Sequence, residues 1–596
     1  METDPLASDP GLLKPMRILG LSSFRHDTSA ALLVDGKFVA AIEDAKLART
    51  PTRGLPEAAI KFCLDSAGLT WHDLDAVAVA TLPVRGWARR SWGAASTSPF
   101  SPVAGAYYEA NELGGLARDL SNLRILRHKN GTSSCRFLNF EHHLCHAASS
   151  FYLSPFDRAL ILTLDEEGDG RAGMLALGEG TRLRPLQTIS FPHSLGWVYS
   201  RITELLGFVP QKEEHKTQWL SMEGEPVFKQ VFLDMLRGKN SPLPCLDSSF
   251  VHRGVTGHLA FSGKFYRHLG IPEGDAALGD KSLGDDQRRA LASSVQHACT
   301  EIIGDLIEHY RKREGVEQVC LGGGMFQNVL LVSDLETRLG LGQVFVPPAP
   351  ANSGSALGAA ILAWQQNNAV RFEPNADNYW GPGSRSHEIK DVLDNSKARY
   401  VIQSTSERKL DSTIQLLQAG KIVGWFQGRT EFGPRALGNR SLLASPWAPY
   451  VKENLNDFVK HREWFRPFAI SVPEEDCARF FESSPLCGSM NSLATVRPLA
   501  DALPQDFCLP GNRIRLHAVS RKSNPLFWDL LKRFGEHAPA PMLLNTSFNL
   551  SGEPLVARPQ DAVRSYFCSG IDALVMENFL LSKSTATHVL AGTRAS

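Results

Sequence analysis

Apolar and polar positions along the chain fall into a strand rhythm and a helix rhythm, and the same succession of the two occurs twice. Residues 17–23 (RILGLSS) are a short apolar run ending in small residues, and residues 30–34 are a second. The pair Asp35-Gly36 between apolar runs is a strong hairpin signal and predicts a third strand over residues 37–42. From 55 to 67 the apolar spacing becomes helical. The order then returns: a buried strand over 159–164, a Gly-rich turn at 168–170, a strand over 173–177 and a Gly-Glu-Gly hairpin at 178–180. This repetition predicts two strand-turn-strand-hairpin units whose sheets face one cleft, an arrangement suited to holding a nucleotide or phosphate.

Further along, residues 194–208 (SLGWVYSRITELLGF) have helical spacing, and Leu291, Val295, Cys299, Ile302, Leu306 and Tyr310 lie on one stripe of a long scaffold helix over 286–312. A strand over 316–321 leads into Gly322, Gly323 and Gly324 and a helix from near Gln327, and residues 350–358 make a second turn of the same kind into an Ala-rich helix. Glycines between strand and helix let an anion approach backbone amides at a helix N-terminus. Residues 367–386 are dense in Asn, Pro, Gly and Ser, a linker composition, with the boundary placed near Asn378.

Length changes the picture first: 596 residues exceed what one core supports, so two large domains are expected, 16–377 and 378–596, after a loose tail over 1–15. Residues 84–131 show no clean period and are expected to be an insertion, either a lid or a subunit contact in a homodimer. Charge is balanced, 63 basic against 63 acidic residues, which favours small-molecule chemistry over nucleic acid or an anionic membrane. Ten cysteines without a CxxC pair argue against zinc fingers and a disulfide framework and fit a reducing cytoplasm.

Candidate chemistry sits in two places. His142 and His146 are four apart, one helical turn on one face, and the strand after them delivers Asp165 at its end, so two imidazoles and a hard oxygen form a candidate divalent metal site. In the second half, residues 428–441 (GRTEFGPRALGNRS) hold three arginines, three glycines and one proline, the composition of an anion pocket. Lys460, Arg462 and Arg466 are interleaved with aromatics, Arg513 and Arg515 belong to the same half, and Ser547 and Asn549 add neutral donors. The cluster of Glu213, Glu214, His215 and Lys216 reads as a solvated loop.

At these residues the chain resembles the O-carbamoyltransferases that decorate nodulation factors, cephamycins and aminoglycosides. RILGLSSFRHDTSAALLVDGKFVAAIED, EHHLCHAASSFYLSPF, LGGGMFQN, GRTEFGPRALGNRS, KHREWFRPFA and PMLLNTSFN carry the resemblance in order over nearly the whole chain. It implies an α/β fold: a Kae1-like domain with duplicated sheets of the actin and hexokinase kind, then a YrdC-like domain. It also implies that the C-terminal domain makes carbamoyl-adenylate from carbamoyl phosphate and ATP, and that the N-terminal domain, holding a divalent metal such as Fe2+, passes the carbamoyl group to a hydroxyl of a small-molecule acceptor. By the same resemblance Arg435, Lys460, Arg466 and Arg515 bind anions, Ser547 and Asn549 donate to them, and Gly323, Gly324, Asn328 and Lys216 serve the nucleotide. His26 is the implied general base on the acceptor hydroxyl. His142, His146 and Asp165 match three metal ligands, and Asn352 stands where most relatives place an Asp as the fourth. Glu166 replaces a usual Gly, and His517 stands where relatives often have Gln. Two alternatives are a threonylcarbamoyl-type tRNA-modifying enzyme and a nucleotide-binding homologue with an impaired metal site.

Overall fold

Two five-stranded sheets of identical topology frame the first half of the chain. In this computed structural model the described residues are 16–23, 27–89, 113–122, 124–125, 135–238, 241–253, 259–271, 283–374, 378–498 and 503–583. The tail over 1–15, His26 and most of the expected insertion over 84–131 lie outside them. The chain divides into unit one, Met1–Asp44 with Pro51–Asn375, and unit two, Ala45–Thr50 with Ala376–Ser596.

In unit one, β1 (Arg17–Ser22), β2 (Ser29–Val34) and β3 (Lys37–Glu43) form an antiparallel meander, and β4 (Ala76–Val79) and β5 (Arg136–Asn139) extend it in parallel, giving the order β3-β2-β1-β4-β5. The second sheet repeats this with β6 (Arg158–Gly168), β7 (Arg171–Glu179) and β8 (Arg182–Ser190). A separate ribbon of β9 (Val251–Arg253) and β10 (Leu259–Phe261) intervenes in the chain, and β11 (Val319–Gly322) and β12 (Val344–Phe345) then complete the order β8-β7-β6-β11-β12. Each parallel crossover needs a helix. The helix Ser355–Gln365 lies on the first sheet and His142–Tyr152 on the second, and the two helices pack on one another. Their contact is close because Gly358 has no side chain; a Cβ there would stand 1.9 Å from the carbonyl oxygen of Cys145.

The stripe along 286–312 falls within the helix Asp285–Glu314, and all six stripe residues are buried. The charged cluster at 213–216 is not a loop: Glu214–Leu220 is a helix, with Thr217, Gln218, Trp219 and Leu220 buried on it. Tertiary burial of one face outweighs the polarity of its first turn.

Unit two is built on a ten-stranded mixed sheet. Its strands are β13 (Val401–Ile402), β14 (Val423–Phe426), β15 (Arg440–Ala444), β16 (Ala469–Pro473), β17 (Phe481–Glu482), β18 (Leu493–Val496), β19 (Arg513–Val519), β20 (Leu543–Ser547), β21 (Ala573–Met576) and β22 (Phe579–Ser582). Their order is β13-β22-β21-β14-β15-β20-β16-β19-β18-β17. Both faces are covered, as the unbroken apolar runs require: Phe426, Leu442 and Leu544 belong to one core, and Val423, Trp425, Leu443 and Leu543 to the other.

Candidate active site

Unit one brings His142, His146 and Asp165 together. Glu141 caps the helix His142–Tyr152 by accepting from the amide of Leu144, and this start places His142 in the first turn and His146 one turn on. The Asp169 carboxylate fixes the same start by accepting from the amide of His142 at 3.0 Å, the amide of Leu82 at 2.9 Å and the Thr81 hydroxyl at 2.7 Å. Nε2 of His142 and Nε2 of His146 lie 3.0 Å apart, and each faces Oδ2 of Asp165, at 3.2 and 2.9 Å. Three ligand atoms thus converge on one point inside the protein. Burial alone raises the Asp165 pKa, but the charges and hydrogen bonds of His146 and His142 hold it well below the usual carboxylate range, so it is an anion. The donor set, two imidazoles and a carboxylate, fits a divalent first-row metal and is that of non-haem iron sites.

The neighbouring residues are sorted by their partners. His143, between the two candidate ligands, is turned away: Nδ1 meets the Thr163 hydroxyl at 3.0 Å and Nε2 the Arg171 carbonyl at 3.2 Å, and burial pushes its pKa down to about 3. The Glu166 carboxylate accepts from Gln211 at 3.0 Å. Asn352 is buried in the turn Asn352–Gly354 that opens the helix Ser355–Gln365, and that turn packs on the helix of the two histidines. Gly323 lies at φ +94, where a Cβ would strike the Leu164 carbonyl oxygen at 2.2 Å, and the next amide, of Gly324, donates to Oδ1 of Asp165. The glycine turn therefore holds the carboxylate. Asn328 caps the helix Val329–Leu339 through the Leu331 amide, and its side-chain nitrogen donates to Gln296 at 2.7 Å and to the Tyr199 hydroxyl at 3.3 Å. A cap of this kind is worth about 1 kcal/mol. Lys216 pairs with Glu213 at 2.8 Å and lies over the Phe208 ring.

Unit two gathers the cations. The three arginines of residues 428–441 separate into two roles. Arg429 donates to the carbonyls of Gly381 and Trp380, and Arg440 to those of Gln427, Gly428, Asn439 and Pro382, with its guanidinium over the Phe426 ring at 3.6 Å. These two brace the loop. The buried carboxylate of Glu431 supports it further, accepting from the amides of Leu437 and Asn439 at 2.8 Å each and of Arg440 at 3.1 Å. Arg435, carried by this loop, joins a cluster from other strands and turns.

In that cluster, loss of water lowers the pKa of Arg515 first, and the charges of Arg435, Arg462 and Arg466 lower it further. Lys460 is likewise held well below the usual lysine range, by burial first and then by Arg462 and Arg466. Burial brings Arg435 down to about 10, and burial with Arg466 brings Arg462 down to about 9, so both are cations at neutral pH. Glu463, 3.5 Å from Arg466, offsets part of the charge. Lys460 donates to Oδ1 of Asn549 at 2.8 Å and to the Ser547 hydroxyl at 3.3 Å, and that hydroxyl donates to Asn549 at 2.6 Å, which unites the expected donors with the expected cation. A concentration of positive charge among neutral donors is a site for phosphate or a developing oxyanion. Nδ1 of His517 meets the Ser471 hydroxyl at 2.9 Å, and burial pushes the imidazole pKa down to about 3.

The sequence pattern of the carbamoyltransferase N-terminus matches residues 17–92 and 116–361, and that of the carbamoyltransferase C-terminus matches residues 414–583. The nodulation protein NolNO of Sinorhizobium fredii is 32% identical over 577 residues, which are 95% of this chain and 80% of that protein. NolO of Bradyrhizobium diazoefficiens is 33% identical over 455 residues, 75% of this chain and 79% of that protein. An uncharacterized protein of Synechocystis sp. is 31% identical over 601 residues, 95% and 97% of the two chains. Matches to both family halves, in order and over most of the length, place the protein: it belongs to the carbamoyltransferase family and is a carbamoyltransferase enzyme.

Proposed function

We propose that the protein is an ATP-dependent O-carbamoyltransferase that divides activation and transfer between its two units. The supporting observation is the cationic cluster of Arg435, Lys460, Arg462, Arg466 and Arg515 in unit two. A carbamoyl carbon is a weak electrophile and needs a good leaving group. Water cleaves carbamoyl phosphate to carbamate and phosphate; the carbamate oxygen then attacks the α-phosphorus of ATP and displaces pyrophosphate, leaving carbamoyl-adenylate. Each stage moves negative charge among phosphate oxygens, which fixed cations stabilise, and loss of one such group costs ~10²–10³-fold in rate.

Unit one carries out transfer to the hydroxyl of a small-molecule acceptor. His26 takes the acceptor proton, the oxygen attacks the carbamoyl carbon, and AMP leaves. A divalent metal, Fe2+ by its donor set, would be held by His142, His146 and Asp165 with Asn352 as a neutral fourth ligand, and it would supply positive charge to the nucleotide end of the adenylate. Asp165 is fixed for this by the Gly324 amide and the His142 helix by Asp169. No nucleic acid or membrane partner is part of the reading, and a cytoplasmic homodimer is its assembled form.

The test is release of pyrophosphate by metal-loaded full-length protein given ATP and carbamoyl phosphate. Release that needs both substrates is expected; none, with or without a polyol acceptor, rejects the proposal.

A further inference from the structure

The segment Ala45–Thr50 follows β3 in sequence yet belongs to unit two. One of its side chains reaches the loop that carries Arg435, and another reaches the loop that follows Asn549. Lys46 is 5% exposed, and its ammonium donates at 2.8 Å to the carbonyl of Glu431 and at 2.8 Å to the carbonyl of Gly433. Both carbonyls lie just before Arg435. The stretch after Arg435 is held by the Glu431 carboxylate through the amides of Leu437, Asn439 and Arg440. Arg435 therefore sits on a span anchored on either side, and one of the anchors is Lys46.

Arg49 does the corresponding work on the second loop. It lies at φ +61, a conformation that non-glycine residues seldom adopt, and its guanidinium donates to the Leu555 carbonyl at 2.8 Å and to Glu553 at 3.0 Å, with Asp561 at 3.6 Å. The Glu553 carbonyl accepts from the Asn549 side chain at 2.6 Å, and Asn549 accepts from Lys460 at 2.8 Å. One residue thus separates Arg49 from the Asn549–Lys460 pair.

We infer that Lys46 and Arg49 are positioning residues for carbamoyl activation: six residues from the N-terminal part of the sequence set the placement of Arg435 and of the Lys460–Asn549 pair. The inference rests on the reading of unit two as the activation unit. Both side chains act through the loops they hold. Their effect is on geometry, and displacement of a catalytic group by about 1 Å is enough to cost ~10²-fold in rate. An ammonium fits this task because it offers three donors to carbonyl acceptors, and an Arg in its place retains several.

The experiment measures carbamoyl-phosphate-dependent pyrophosphate release by full-length Lys46→Met, Lys46→Arg and Arg49→Gln proteins, together with the thermal midpoint and iron content. Lys61→Met, on an exposed pair with Asp65, is the surface control. The expected result for Lys46→Met is a kcat about 10- to 100-fold lower, with KM for ATP within threefold and the midpoint within about 4 °C of the parent. Lys46→Arg recovers the rate to within about fivefold, Arg49→Gln loses about three- to tenfold, and iron content stays unchanged in all three. A parent-like rate in Lys46→Met overturns the inference. Equal losses of rate and midpoint in the Met and Arg variants overturn it too, because the role is then support of the fold alone. If Lys46→Met does not fold, Arg49→Gln decides: a parent-like kcat rejects the inference and a lowered kcat at an unchanged midpoint upholds it. Absence of pyrophosphate release from the parent protein instead removes the reading of unit two, and this inference with it.

Discussion

The two candidate centres are built in opposite ways. The centre in unit one is local in sequence and made of metal-ligand side chains: His142 and His146 share one helix, and Asp165 lies on the strand after it, so 24 consecutive residues supply all three groups. The centre in unit two is dispersed and cationic, drawing on the loop of Arg435, the turn of Lys460 to Arg466, β19 for Arg515 and β20 for Ser547. A metal ion fits the first and phosphoryl oxygens the second. The difference suggests a division of labour, with metal-ligating groups in one unit and a cluster of cations in the other. It also suggests that the units fail separately when one centre is damaged.

The largest expected effect comes from unit two. Arg515→Ala is expected to lower carbamoyl-phosphate-dependent pyrophosphate release ~10³-fold while iron content, read by elemental analysis, stays at the parent level. Equal loss of iron and activity would merge the two centres. Next, His146→Ala is expected to weaken iron binding ~100-fold and lower carbamoyl transfer in proportion, measured by iron titration and by product formation with a polyol acceptor. Smaller still, Asn352→Asp adds a carboxylate to the turn packed on the helix of the two histidines and is expected to tighten iron binding by about tenfold. No change in affinity would remove Asn352 from the ligand set.

The smallest effect concerns stability. Folded His517 stays neutral down to about pH 3, whereas an unfolded imidazole takes a proton near its ordinary value of 6.5. Between these values the unfolded state binds more protons, so stability falls as the pH drops through the window. From pH 7.5 to 5.5 this costs about 1.4 kcal/mol, and His517→Gln is expected to flatten the dependence by that amount in urea titrations. An unchanged slope would mean that His517 is solvated and titrates alike in the folded and unfolded states.

The same contrast explains what was legible in the sequence. The strand and hairpin signals over 17–42 and 159–180 were enough to reveal the duplication, because alternation and turn chemistry are short-range properties and the two sheets share one topology. His142, His146 and Asp165 were legible for the same reason: helical spacing fixes the pair before the fold is known. In unit two, composition pointed to anion chemistry but not to the division of roles. Arg429, Arg435 and Arg440 look alike in sequence, and only the placement of backbone carbonyls makes two of them braces. Asn328 sits in a glycine-rich turn that resembles a ligand site, yet its side chain is engaged by a helix end, Gln296 and Tyr199. The helix at 214–220 escaped notice because its first turn is charged and only its far side is buried. Lys46 and Arg49 carried no local signal, since their partners lie 385 or more residues away in the chain.

The division of labour is tested most directly by one measurement, pyrophosphate release by the His146→Ala protein given ATP and carbamoyl phosphate without acceptor or added metal. Release within about threefold of the parent rate, from protein that has lost its iron, is the predicted result. Loss of pyrophosphate release together with the iron would contradict it, because activation would then depend on the centre assigned to transfer.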